Sequence, residues 1–170
     1  MRIERRAFLA GVSVTGAALC LPQRSDAADK PDKALEAVVP VIAAVQRHMF
    51  PKGGRLPDAE AMRMSRFLRE TVSHPTYDRD IRAFVIDGAK ELMLREKGKL
   101  LSYDHNGMET ALRSYETTDY GSNWLSRIMI LSLEALLGDP VYSSNVGEAG
   151  WRAVQSFGGQ PRPKTRYIEL

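Results

Sequence analysis

Residues 123–137, NWLSRIMILSLEALL, form the most apolar segment of the chain and indicate its fold class. Apolar residues recur every three to four positions, which is the period of an α-helix rather than of a strand. Arg127 and Glu134 argue against a membrane span. The spacing therefore predicts a central helix that is buried on most sides. Its predicted buried face consists of Trp124, Ile128, Leu131 and Ala135, with Met129, Leu133 and Leu136 on adjoining faces.

Two helices are predicted early in the chain. The first covers residues 34–49 and contains Pro40. Because proline removes a backbone donor, this helix either starts at Pro40 or is kinked there. Asp58 is placed to cap the second helix. The predicted buried face of the second helix consists of Ala61, Met64, Leu68 and Val72.

Two more helices are predicted before the central one. Thr76 is placed to cap the third helix, and Gly98 suits a left-handed stop at its end. Residues 106–109, NGME, resemble a capping box that starts a short fourth helix through Tyr115. No segment has a convincing strand alternation. We therefore predict an all-α fold, a small irregular helical bundle. The chain after Gly138 is rich in Gly and Pro and is predicted to be an irregular tail that packs on the bundle or on a partner.

Residues 1–27 have the pattern of an export signal. Two arginines followed by a spacer, a phenylalanine and a leucine resemble the twin-arginine signal, although an ordinary secretory peptide is the alternative. The residues of this motif are Arg5, Arg6, Phe8 and Leu9. Cleavage is expected after Ala27 or Ala28. We expect export of an already folded chain to the periplasm, with residues 28–170 as a single helical domain.

Charge and cysteine content restrict the function classes. The full chain has 24 basic and 21 acidic residues, a net charge of +3. Residues 1–27 contain four basic and two acidic residues, so their removal leaves 20 and 19 and a net charge of +1. No basic aromatic stripe is left to indicate nucleic-acid binding. Cys20, the only cysteine, falls within the predicted signal, so thiolate metal sites and covalent haem attachment are not expected in the mature chain.

The sequence contains few signs of chemistry. His48, His74 and His105 are far apart and form no metal-ligand motif. No phosphate-binding loop, dinucleotide fingerprint or nucleophile elbow occurs. We therefore predict no catalytic, cofactor-binding or metal-binding residue in this chain. A rival hypothesis is a standalone periplasmic enzyme, which would use His105 together with Asp104 and Glu109.

The C-terminal third resembles a known family. Residues 136–145 (LLGDPVYSSN) are followed by 147–151 (GEAGW) and 157–163 (FGGQPRP). Together they resemble the C-terminal signature of the gluconate 2-dehydrogenase subunit 3 family, in which a helix ends at an Asp-Pro-x-Tyr-Gly-Gly-Asn turn. The chain departs from this signature at Ser143-Ser144, where the family usually has two glycines. Residues 49–51 (MFP) are similar to an early Phe-Pro element of the family.

The resemblance implies a function within a complex. Family members are small subunits without a cofactor. They accompany a large FAD-containing oxidoreductase of the glucose–methanol–choline type, often with a multihaem cytochrome c that carries haem c. The large subunit oxidises a sugar or sugar acid, and electrons reach membrane quinone through haem. The large subunit commonly lacks a signal, so the small subunit's leader would export both.

We accordingly expect a non-catalytic small (gamma) subunit, peripheral to the inner membrane through its partners. Its partner-binding residues are expected in the C-terminal segment, although these aromatics could instead cover the chain's own core. The expected partner-binding residues are Tyr142, Asn145, Trp151, Phe157 and Tyr167. A transient export chaperone that leaves the mature complex is a further alternative.

Overall fold

The computed structural model describes residues 33–166, which fold into α-helices and short 3₁₀ turns with no β-strand among them. The predicted all-α class is confirmed. The α-helices are α1 (Lys33–Met49), α2 (Met64–Ser73), α3 (Arg79–Arg95), α4 (His105–Glu116), α5 (Asp119–Leu137) and α6 (Ala149–Ala153). The 3₁₀ turns are Leu100–Ser102, Pro140–Tyr142 and Val146–Glu148. The predicted signal residues Arg5, Arg6, Phe8 and Leu9, and Tyr167 near the C-terminus, lie outside the described residues.

Helix α5 is the central element, because it packs against each of the other five described α-helices. Its predicted buried residues, Trp124, Ile128, Leu131 and Ala135, are all buried. The adjoining faces differ from the prediction. Leu136 is buried and Met129 is half-buried, but Leu133 is exposed. Helical spacing alone did not predict that the face of this apolar helix that carries Leu133 is exposed to solvent.

One close contact in the bundle joins α3 to α5. A Cβ atom at Gly88 would lie 2.0 Å from Cδ1 of Trp124, so only glycine allows the indole to reach this position. Trp124 Nε1 donates to the carbonyl oxygen of Val85 at 3.0 Å. The Tyr115 hydroxyl, from α4, donates to the carbonyl oxygen of Gly88 at 3.1 Å. Two buried rings therefore have hydrogen-bond partners on the backbone of α3.

Three helix starts differ from the prediction. The cap of α3 is Asp78 rather than Thr76, and the cap of α4 is Asp104 rather than the predicted capping box at residues 106–109. In both cases an aspartate is favoured because its carboxylate accepts backbone N–H groups and also interacts with the positive end of the helix dipole. Helix α5 is capped by Thr118 and starts four residues earlier than predicted.

The second helix also starts later than predicted. Asp58 does act as a cap, since its Oδ1 accepts the backbone N–H groups of Glu60 and Ala61 at 3.0 and 2.9 Å. However, Arg63 has a left-handed backbone (φ 54°) and interrupts the helix, so that α2 begins at Met64. Ala61 is consequently exposed, contrary to the prediction. The other three predicted residues, Met64, Leu68 and Val72, are buried.

Helix α1 passes through Pro40, so the alternative in which the helix starts at that residue is wrong.

Gly98 has the predicted left-handed backbone (φ 76°) just beyond α3. The C-terminal tail is more regular than predicted, because α6 and two 3₁₀ turns lie within it, and α6 packs on α5. No helix in residues 33–166 combines the length and apolarity that a membrane span requires.

Candidate functional site

The residues of the family-like signature organise the C-terminal segment, defined here as residues 138–166. Asn145 is fully buried. Its amide donates to the carbonyl oxygen of Gly138 at 2.9 Å and accepts the N–H of Gly150 at 2.8 Å. Trp151 is also buried, and its indole donates to the carbonyl oxygen of Leu137 at 2.6 Å. Both side chains thus attach the segment to the end of α5 rather than face outward.

Arg162 fastens the far end of the segment. Its guanidinium lies 4.4 Å above the centre of the Trp151 ring, a cation–π contact. Its Nε is 2.8 Å from Asp139 Oδ2, and its Nη2 is 3.1 Å from Glu148 Oε1. Gly158 also packs on the indole, since a Cβ atom there would lie 2.4 Å from Cη2 of Trp151. The backbone on both sides of residue 157 is therefore held in place.

Phe157 lies between these contacts of Trp151 and Arg162, and its side chain is 86 % exposed to solvent. It shares a recess with Leu137, the last residue of α5. Of the aromatic residues proposed for partner binding, Phe157 faces solvent, Trp151 packs within the fold, and Tyr142 is half-buried. A large apolar side chain on an ordered loop is the kind of group that anchors a protein interface.

Tyr142 lines a cleft between α2 and the C-terminal segment. Arg166 forms part of the cleft wall and ties the segment to α2, because its Nη1 lies 3.2 Å from Glu70 Oε2. Its Nε donates to the carbonyl oxygen of Val141 at 2.9 Å, and its Nη2 contacts the hydroxyl of Ser143. The segment is consequently attached both to the end of α5 and to α2.

Ser143 stands where the resembling family usually has glycine. Its backbone is left-handed (φ 67°), a conformation that a residue with a Cβ atom adopts at a cost of about 1–2 kcal/mol. Ser144, the second departure, is buried. The chain therefore adopts a backbone at residue 143 that glycine would adopt without strain.

A second surface feature, here called the α4–α5 groove, is lined by two histidines, two glutamates and an arginine. His48 of α1 lies beside His105 of α4, with ring centres 4.6 Å apart. His48 Nε2 is 2.6 Å from Glu109 Oε2, and Arg113 is 2.9 Å from the other carboxylate oxygen. The hydrogen bond from His48, followed by that from Arg113, holds the pKa of Glu109 below its ordinary value. The apolar wall of the groove includes Leu112, Leu125, Met129 and Ile130.

The groove brings together two of the three residues named by the enzyme hypothesis. His105 and Glu109 line it, whereas Asp104 lies outside it and caps α4. Within residues 33–166 no group of three or more His, Cys, Asp or Glu side chains is arranged to hold a metal ion. Sequence reasoning missed the pairing of His48 with Glu109. The spacing of His105 and Glu109 places those two residues one turn apart on one helix, but no sequence pattern links either of them to His48.

Comparison with family models, curated proteins and solved structures found no match to this chain. The likeness to gluconate 2-dehydrogenase subunit 3 therefore rests on sequence patterns alone, namely the C-terminal signature from residue 136, the Phe-Pro element and the twin-arginine-like leader.

Proposed function

We propose that this chain is the non-catalytic small subunit of a periplasmic, membrane-associated sugar or sugar-acid dehydrogenase, which stabilises and co-exports an FAD-containing large subunit. The observation that carries the proposal is the presentation of Phe157. This side chain is 86 % exposed, yet the backbone beside it is held by Trp151 and Arg162. Burial of this ring in an apolar pocket of a partner would be favourable, and the fixed backbone beside it would reduce the conformational entropy lost on binding.

The internal order of the segment supports the same proposal. Asp139, Asn145 and Trp151 belong to the signature that resembles the family, and each makes hydrogen bonds that shape the segment. These residues would then hold the segment in shape, and Phe157 would be the side chain that the partner buries. The partner would be a flavoprotein of the glucose–methanol–choline type, with a multihaem cytochrome c completing the route to membrane quinone. Membrane association would come from these partners.

The test is co-expression of the full chain with a candidate flavin-binding oxidoreductase of the glucose–methanol–choline type from the same genome, followed by purification through a tag on this chain. Wild type is expected to retain a yellow partner at a fixed stoichiometry in the periplasmic fraction, measured by flavin absorbance and mass. Phe157→Ser is expected to lose it. Leu94→Ser is the matched control, because Leu94 is 79 % exposed on α3, away from the C-terminal segment.

Replacing Arg5 and Arg6 with lysines should leave both chains in the cytoplasm. A chain that purifies alone while the oxidoreductase is exported without it would refute the subunit proposal. A complex that forms before export but is absent from the periplasm would favour a transient chaperone. Turnover of a sugar by the isolated chain would favour the standalone enzyme, with the α4–α5 groove as its site.

A further inference from the structure

An apolar seam runs along the outer face of α5. Ile130, Leu133 and Leu137 are 44, 37 and 39 % exposed, although each is a large aliphatic residue. With the exposed Ser126 they are spaced four, three and four positions apart. This is the spacing of the a and d positions of a coiled coil, with Ile130 and Leu137 at a, and Ser126 and Leu133 at d. The face has the pattern of a helix that pairs with another helix.

Two charged residues flank the seam on one side. Arg127 and Glu134 each follow a d residue, so both occupy e positions one heptad apart. Neither forms an ion pair with another residue in the described part of the chain. Partial burial raises the pKa of Glu134, and the positive charge of Arg127 only partly offsets this. A further cation near Glu134 would therefore be favourable.

The order of these charges selects one kind of partner. In an antiparallel pair of helices, e positions face e positions of the other helix, whereas in a parallel pair they face g positions. The g positions here are Met129 and Leu136, which offer no charge. If two copies of α5 pair in an antiparallel manner, Arg127 of each copy meets Glu134 of the other. The seam is thus complementary to itself.

We infer that this chain forms a two-fold symmetric dimer in which two α5 helices pack in an antiparallel manner along the seam. Ile130 of each copy packs on Leu133 of the other, and Leu137 packs opposite Ser126. Ser126 also lines the α4–α5 groove, so Leu137 of the second copy meets its apolar wall and extends the contact. Such an interface is isologous, since the same patch is used by both copies. The dimer needs only copies of this chain and can be tested without the proposed partner, but its interface includes Leu137, which also borders the recess of Phe157.

Sedimentation velocity of the full chain over a series of concentrations tests the inference. Wild type is expected to shift from monomer to dimer as the concentration rises. Leu133→Lys is expected to abolish the dimer, because it places a charge at the centre of the seam. Leu94→Lys, at an exposed leucine of α3, is the control and should dimerise like wild type. Circular dichroism of every variant checks that the helical fold is retained.

Charge reversal distinguishes a second copy from any other occupant of the seam. Arg127→Glu and Glu134→Arg should each raise the dissociation constant about tenfold, since each replaces two attractive pairs with two repulsive ones. The double variant Arg127→Glu/Glu134→Arg should return to within about threefold of wild type, because opposite charges face each other again. A chain that stays monomeric, a dimer that survives Leu133→Lys, or a double variant without rescue would overturn the inference.

Discussion

Gly88→Ala is expected to lower the free energy of unfolding by about 1–5 kcal/mol. The reason is the contact between α3 and α5, where a Cβ atom at residue 88 would lie 2.0 Å from Cδ1 and 2.5 Å from Nε1 of Trp124. Carbon atoms in ordinary contact are about 3.5–4.0 Å apart, so the indole or the whole of α3 must move by roughly 1.5 Å.

The magnitude follows from three effects. Overpacking a filled core costs about 1–3 kcal/mol. The same movement pulls Trp124 Nε1 from the carbonyl oxygen of Val85, and a buried donor without an acceptor costs about 1–3 kcal/mol. Alanine is a better helix former than glycine by about 1 kcal/mol, which acts in the opposite direction. The two costs exceed the gain, so the variant is destabilised.

Urea unfolding followed by circular dichroism and tryptophan fluorescence measures the effect. Gly159→Ala is the matched control, because a Cβ atom there has no neighbour within 4 Å, and it should unfold like wild type. Trp124→Leu in the Gly88→Ala background frees space, so the cost of the double variant should be less than the sum of the two single costs. A Gly88→Ala protein as stable as wild type, or more stable, would refute the packing argument.

Three further changes test other contacts. In the wild type, the buried Gln46 Nε2 donates to the Ser132 hydroxyl at 3.0 Å, so Ser132→Ala leaves this donor without its acceptor. The variant should lower the free energy of unfolding by about 1–3 kcal/mol in the same urea assay. An unchanged urea midpoint would contradict the pairing. Glu109→Gln should lower stability at pH 7. Because the pKa of Glu109 is lowered in the folded protein, the stability that its carboxylate contributes is present above the ordinary value of 4.5 and is lost as the pH falls through the lowered pKa. The difference in stability between the two proteins should therefore narrow as the pH is lowered from 7, and a difference that stays constant would argue against this origin. Gly158→Ala should displace the Trp151 indole and speed limited proteolysis of residues 154–166. Gly159→Ala is the control and should be cleaved like wild type.

The helical class and the central position of α5 were predictable because they depend on local periodicity. Trp124, Ile128 and Leu131 fall on one helical face whatever surrounds them. The exposed seam was not predictable, because an apolar helix buried on three sides and one buried all round have similar composition. Only the placement of the other helices distinguishes Leu133, which is exposed, from Leu136, which is buried.

Helix starts and side-chain clusters show a second limit. Thr76 and Asp78 are both good caps, and the choice between them depends on how the chain leaves the preceding turn at His74 and Pro75. The pairing of His48 with Glu109 joins residues 61 positions apart, so no local pattern indicates it. Similarly, composition could not separate Trp151, which serves the chain's own fold, from Phe157, which does not.

The contact between Glu70 and Arg166 has a consequence for the order of folding. It joins residues 96 positions apart, whereas the turns between α3, α4 and α5 bring together neighbours along the chain. Closing a long loop costs more chain entropy than closing a short one, so contacts of this kind form after local ones. The α3–α4–α5 part of the bundle is then expected to form before Arg166 docks on α2. The end of the C-terminal segment, which carries Arg166, would be among the last parts of the molecule to reach its final position.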